Sequence, residues 1–167
     1  MPKVVCDTSP IQYLHQLDLL HILPALTEGV IIPPAVMDEL ATGRALGVNL
    51  PDPSGVDWIS IHRPESAAAL PLVTDLGPGE TEVLMLAIES PETVAVLDDA
   101  LARRVARALN LRYTGTLGLL VDAKRAGLIS TVEPWLDQLQ ALRFHLAPHT
   151  RNAVLKLADE SPSSANG

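Results

Sequence analysis

The chain has 167 residues, with 12 basic and 20 acidic side chains, a formal charge of −8 and a single cysteine. Apolar residues supply 47% and aromatic ones 3%, so Leu, Val, Ile and Ala must build the core; wholesale disorder and a disulfide scaffold are excluded. The negative charge argues against nucleic-acid binding by bulk attraction. No apolar run approaches the ~18 residues of a membrane span, and the first residues lack a signal peptide's apolar stretch, so a cytoplasmic protein is expected.

Lys3 to Cys6 reads as a buried strand ending in Asp7. Thr8, Ser9 and Pro10 read as a cap followed by a first-turn proline. Leu14, Leu17, Leu20, Ile22, Leu23 and Leu26 mark two short helices. Val30 to Ile32 is a second strand, and Pro33-Pro34 opens a helix through Leu40. Residues 41–55, with three Gly and two Pro, predict a loop, and Val56 to His62 a strand. Asp75 to Glu80 is a turn leading into a helix that is apolar nearly all round at Val83 to Ile88. Thr93 to Leu97 is strand-like and ends in Asp98-Asp99.

A helix from Ala100 to Leu109 carries Arg103, Arg104 and Arg107. Residues 99–125 hold six basic and two acidic side chains, a local reversal of the chain's overall sign. Leu111 to Thr114 predicts a strand, and Gly115 to Gly118 starts a helix to Ala126. Val132 to Leu142 is an amphipathic helix, Phe144 to Leu146 an edge strand, and Thr150 to Ala158 a last helix. No repeat or linker divides the chain. The expectation is one domain over residues 1–158 and a flexible tail over residues 159–167.

Strand–helix alternation of this kind predicts an α/β protein with a mainly parallel sheet. Chemistry in such sheets gathers beyond the carboxyl ends of the strands. Asp7, Asp98 and Asp99 fall at strand ends. Taken one at a time, Asp7 and Asp99 read as helix caps, Glu80 as a partner for a helix dipole and Glu39 as a surface acid. Taken together, they could converge on one crevice. Clustered carboxylates repel and raise one another's pKa values, and a divalent cation removes that penalty. An oxygen-rich set without cysteine suits Mg²⁺ or Mn²⁺.

These residues carry a family resemblance. Val4-Val5-Cys6-Asp7-Thr8-Ser9, Val30 to Leu40, Leu76-Gly77-Pro78-Gly79-Glu80, Leu97-Asp98-Asp99 with Arg103-Arg104-Val105-Ala106, Thr114 to Gly118 and Ala123 to Ile129 stand in the order seen in PIN-domain proteins. The chain resembles the small prokaryotic kind related to VapC-type toxins over about residues 3–158. The resemblance implies a three-layer α/β/α sandwich and a metal-dependent ribonuclease. It makes Asp7, Glu39, Glu80 and Asp98 the catalytic acids, with Asp99 as the alternative to Asp98 in register. Metal ligands would come from Asp7, Glu80, Asp98 and Asp99, and Thr8 would support the first acid.

The implied reaction is phosphodiester hydrolysis of RNA, leaving a 5′-phosphate. Mg²⁺ or Mn²⁺ is the implied cofactor, and a cognate antitoxin and a second copy in a homodimer are the implied partners. Arg103, Arg104 and Arg107 are candidate RNA phosphate contacts. The competing readings are a non-catalytic interaction module of the same fold and a structure-specific DNA nuclease. A phosphatase reading lacks its Asp-x-Asp, since the chain has Asp7-Thr8-Ser9, and no phosphate-cradling glycine loop is present. The five histidines lack metal-ligand spacing, and Cys6 reads as a small core hydrophobe.

Overall fold

Five short apolar runs pair into one sheet in the computed structural model, which describes residues 1–65 and 75–161. They are β1 (Lys3–Cys6), β2 (Gly29–Ile32), β3 (Ile59–Ile61), β4 (Val94–Val96) and β5 (Tyr113–Thr114). The order is β3-β2-β1-β4-β5, with every pairing parallel. β1 lies at the centre, with Val4 opposite Val30 on one side and Val94 on the other. A central parallel strand is covered on both faces, which is why Val4, Val5 and Cys6 are all apolar and buried.

The helices among the strands are α1 (Thr8–Gln16), α2 (Ile22–Leu26), α3 (Pro34–Ala45), α4 (Pro78–Glu89) and α5 (Ala100–Ala108). Crossovers between parallel strands are right-handed. From β1 the chain steps outward through β2 to β3, and from β4 it steps the opposite way to β5. Those opposed steps put helices on opposite faces of the sheet, giving the three-layer α/β/α sandwich. They also reverse the direction of the strand order between β1 and β4, the place where such sheets open a crevice at their carboxyl ends. Asp7 directly follows β1, and Asp98 stands two residues beyond the end of β4.

The chain divides into two compact units, Met1–Thr116 and Leu117–Gly167. The first contains the sheet. The second contains α6, which begins at Thr116 and ends at Arg125, then α7 (Glu133–Ala141) and α8 (Pro148–Leu157). Its own core includes Leu120, Val132, Leu136, Leu139 and Leu155, all fully buried. Glu160 accepts hydrogen bonds from the amides of Val132 (2.7 Å) and Glu133 (3.2 Å) and from Lys124 Nζ (3.1 Å). Of the expected tail, residues 162–167 lie outside the described residues. No helix among the described residues is long and apolar enough to cross a membrane.

Three expected elements differ. The loop from residue 41 begins only after Ala45, because α3 runs on through Gly43. There Leu50 packs so closely that a Cβ would lie 2.3 Å from its Cδ1; this glycine serves packing and does not end the helix. The strand expected from Val56 shortens to Ile59–Ile61, since Pro53–Gly55 forms a 3₁₀ turn whose entry Asp52 caps by accepting from the Ser54 amide at 3.1 Å. Phe144 to Leu146 is not a strand. The Phe144 amide donates to the Leu139 carbonyl at 3.0 Å, and Arg143 adopts φ +68°, so this backbone closes α7.

Candidate active site

Asp7 follows β1 and precedes α1, where a capping role would be ordinary. Its side chain makes no capping hydrogen bond. It is 4% exposed, and its pKa is pushed up to about 7. Burial is the largest cause, opposed by the Thr8 amide; the charges of Glu80, Glu39 and Asp98 push further upward. A buried carboxylate facing three others is costly for folding alone.

Glu39 reaches the same place from α3. Its Oε1 accepts from the Gly79 amide at 3.0 Å, and its Oε2 accepts from Thr8 Oγ1. The Thr8 hydroxyl therefore serves Glu39, the second acid, and not Asp7 as the resemblance implied; Thr8 meets Asp7 through its backbone amide. Gly79 shows how tightly these acids converge. A Cβ built on it would lie 2.6 and 2.9 Å from the two Glu39 oxygens and 3.0 Å from Asp7 Oδ1.

Glu80 stands at the third position of α4, after Pro78 in the first turn, and accepts from the Gly77 amide at 2.7 Å. That is the glutamate half of a capping box. The box explains why this position tolerates glutamate: the longer side chain folds back to its own helix start. Burial raises its pKa, the Gly77 amide opposes this, and Asp99 and Glu39 add to the rise.

The adjacent aspartates after β4 divide their roles. Asp99 is exposed and caps α5, accepting from the Ala102 amide at 2.9 Å. Asp98 turns inward instead. Its Oδ1 accepts from the Thr116 amide at 2.8 Å, and its Oδ2 from Thr116 Oγ1 at 2.7 Å and Ser9 Oγ at 3.5 Å. Burial raises its pKa against Thr116, Arg103 and Ser9. Replacing a capping carboxylate by alanine costs ~1 kcal/mol. Asp99→Ala is therefore expected to lose about that much in urea unfolding, with Asp99→Ser recovering most of it. An unchanged midpoint for the alanine variant would remove the capping assignment.

The arginines of α5 are less free than the sequence implied. Arg103 lies over the Tyr113 ring, 5.3 Å from its centroid, and Arg107 donates to the Tyr113 hydroxyl from Nε (3.1 Å) and Nη2 (2.8 Å). Arg104 is exposed. Two side chains at the site carry no site role in the sequence pattern: Thr116 stands within the Thr114 to Gly118 signpost, and Ser9 within the cap after Asp7.

A family model described as a PIN domain matches residues 3–160. The chain belongs to the PIN-domain family. PIN domains are generally nucleases and typically use divalent metals. No curated protein matches the chain.

For this PIN domain, the donor chemistry fits such a metal. Four carboxylates and no sulfur or imidazole make a hard, oxygen-only set. The strain on Asp7 from burial and like charge is of the kind a cation relieves. Among the described residues, no three His, Cys, Asp or Glu side chains already stand as a ready ligand group. Glu39, Glu80 and Asp98 are each turned to protein donors. Ligation would use the acceptor sites that those hydrogen bonds leave open on each carboxylate.

Proposed function

We propose that this PIN domain is a metal-dependent endoribonuclease that hydrolyses RNA phosphodiester bonds, acting as the toxin of a toxin–antitoxin pair. The observation that carries the reading is the buried Asp7 carboxylate, which makes no capping bond and faces Glu39, Glu80 and Asp98. Asp7, Glu80 and Asp98 would hold Mg²⁺ or Mn²⁺. Such an ion supplies charge neutralisation at a phosphate and a lowered pKa for water.

The chain's own residues do the rest. Glu39, held by Thr8 and the Gly79 amide, orients the attacking water. The water oxygen bonds to phosphorus, the P–O3′ bond breaks and the 3′ oxygen leaves with a proton, giving a 5′-phosphate product. Asp98 is fixed from behind by Thr116. Asp99 caps α5 through one oxygen while its charge reaches Glu80, so it is the further candidate ligand. Arg103, whose charge reaches Asp98, the exposed Arg104, and Arg107 on Tyr113 are the proposed contacts for flanking phosphates. An antitoxin partner, a homodimer and a cytoplasmic location belong to the same proposal.

Cleavage of a labelled single-stranded RNA is expected with Mn²⁺ or Mg²⁺ and is expected to stop with EDTA. A matched DNA strand tests the closest competing activity. Cutting of DNA alone would replace the ribonuclease assignment. The absence of both cutting and Mn²⁺ binding would leave a non-catalytic module.

A further inference from the structure

Thr116 is a polar residue in an unusual position for one with no assigned role. It is fully buried, yet both of its hydrogen-bonding donors are spent on a single carboxylate. Its amide donates to Asp98 Oδ1 at 2.8 Å, and its hydroxyl donates to Asp98 Oδ2 at 2.7 Å. The neighbouring residue has no side chain to interfere. A Cβ at Gly115 would lie 2.7 Å from Asp98 Oδ1 and 2.9 Å from the Leu97 carbonyl. The carboxylate is thus seated against backbone on one side and gripped at both oxygens by one residue.

Two bonds to the two oxygens of one carboxylate fix more than its position. They fix the plane of the group, because rotation about the Cβ–Cγ bond breaks both at once. A carboxylate offers about four acceptor sites. The Thr116 bonds occupy one on each oxygen, and Ser9 Oγ approaches Oδ2 at 3.5 Å. Acceptor capacity therefore remains on a group whose orientation is already set. Hydrogen bonds of this kind, made to a ligand and not to the metal, typically control affinity by 10–100-fold when removed.

Resting on the nuclease reading above, we propose that Thr116 is a positioning residue for the metal site, which sets the plane of the Asp98 carboxylate through its amide and hydroxyl together. The amide alone leaves the carboxylate free to pivot about Oδ1. The hydroxyl stops that pivot. Thr116 touches neither substrate nor metal in this assignment and acts only through Asp98. The required feature is the hydroxyl, so serine suffices and valine, which is nearly the same shape, does not.

The test compares Thr116→Val, Thr116→Ala and Thr116→Ser with wild type and with Asp98→Asn. Mn²⁺ alone is titrated by calorimetry, RNA cleavage is resolved into kcat and KM, and thermal unfolding of the metal-free protein is followed alongside. The valine and alanine variants are expected to bind Mn²⁺ about 10–100-fold more weakly and to lose kcat with little change in KM. Thr116→Ser is expected to restore both. Alanine keeps the test open if valine fails to fold beside a carboxylate. Wild-type Mn²⁺ affinity and kcat in a folded valine or alanine variant would overturn the assignment, provided Asp98→Asn is impaired. A lowered unfolding temperature with unchanged Mn²⁺ affinity would also overturn it, by showing a structural role only. Should Asp98→Asn itself bind Mn²⁺ and cleave RNA normally, the reading of the site falls and this inference with it.

Discussion

Asp7→Asn is expected to abolish RNA cleavage and, at the same time, to stabilise the metal-free protein at pH 8. The two effects have one cause. Asp7 is buried among acids, and its pKa is raised from 3.8 to about 7. Between those values the native state holds a proton that the unfolded chain has released. Stability is therefore greatest at the acid end of this window and falls as pH rises through about 7, where the native carboxyl must ionise. At ~1.4 kcal/mol per pH unit, the penalty reaches on the order of 4 kcal/mol once Asp7 is fully charged. Glu80 and Asp98 are shifted in the same direction, so the substitution reduces the slope without flattening it. Urea unfolding of metal-free wild type and variant at pH 5 and pH 8 measures this, and equal slopes would contradict the environment assigned to Asp7. On the activity side, loss of a ligand should exceed the 10–100-fold cost of losing its supporting partners, so cleavage is expected to fall by more than ~100-fold.

Gly79→Ala is expected to separate folding from function more cleanly. Alanine is favoured over glycine inside a helix by ~1 kcal/mol, and Gly79 lies in the first turn of α4. The added methyl would sit 2.6 Å from Glu39 Oε2 and 3.0 Å from Asp7 Oδ1. The Glu39 oxygens end a flexible side chain, so Glu39 can swing aside and the fold survives. In swinging aside it leaves its bonds to Thr8 and to the Gly79 amide. A displacement of about 1 Å at a reacting group can cost ~100-fold, and a loss of that order in kcat is expected with an unfolding temperature close to wild type. A fully active alanine variant would show that the contact of Glu39 and Asp7 around Gly79 is dispensable.

Much of this was legible along the chain. β-branched runs at residues 3–6 and 30–32 announced buried strands because a central parallel strand admits little else. The acids after the strands announced a crevice because parallel sheets place their carboxyl ends together. Pro34 marked a helix start, since a first-turn proline lacks only an amide that would have no partner anyway, whereas Pro78, read as part of a turn, proves to open α4 in the same way. Gly43 misled for the opposite reason. A glycine in sequence reads as a break, but this one gives clearance to Leu50, seven residues further on.

The division between Asp98 and Asp99 shows where sequence stops. Both are aspartates after one strand, and each can cap a helix. Only the path of the chain decides that Asp99 meets the Ala102 amide while Asp98 meets Thr116. The same holds for Thr8, whose hydroxyl finds Glu39 across 31 residues of chain. It holds again for Arg103 and Arg107, whose charges were visible but whose attachment to Tyr113 was not.

The sequence by itself determined the fold class and most of the strands, because periodicity and turn chemistry are local properties; the acids at 7, 39, 80 and 98 were set apart from ordinary caps and surface acids only together with the family resemblance. The tertiary structure alone decided which oxygens face one another, which acid caps a helix, and that a buried threonine grips Asp98. Those are distances between residues far apart in the chain, set by the side-by-side pairing of β1 and β4 at the sheet's switch point.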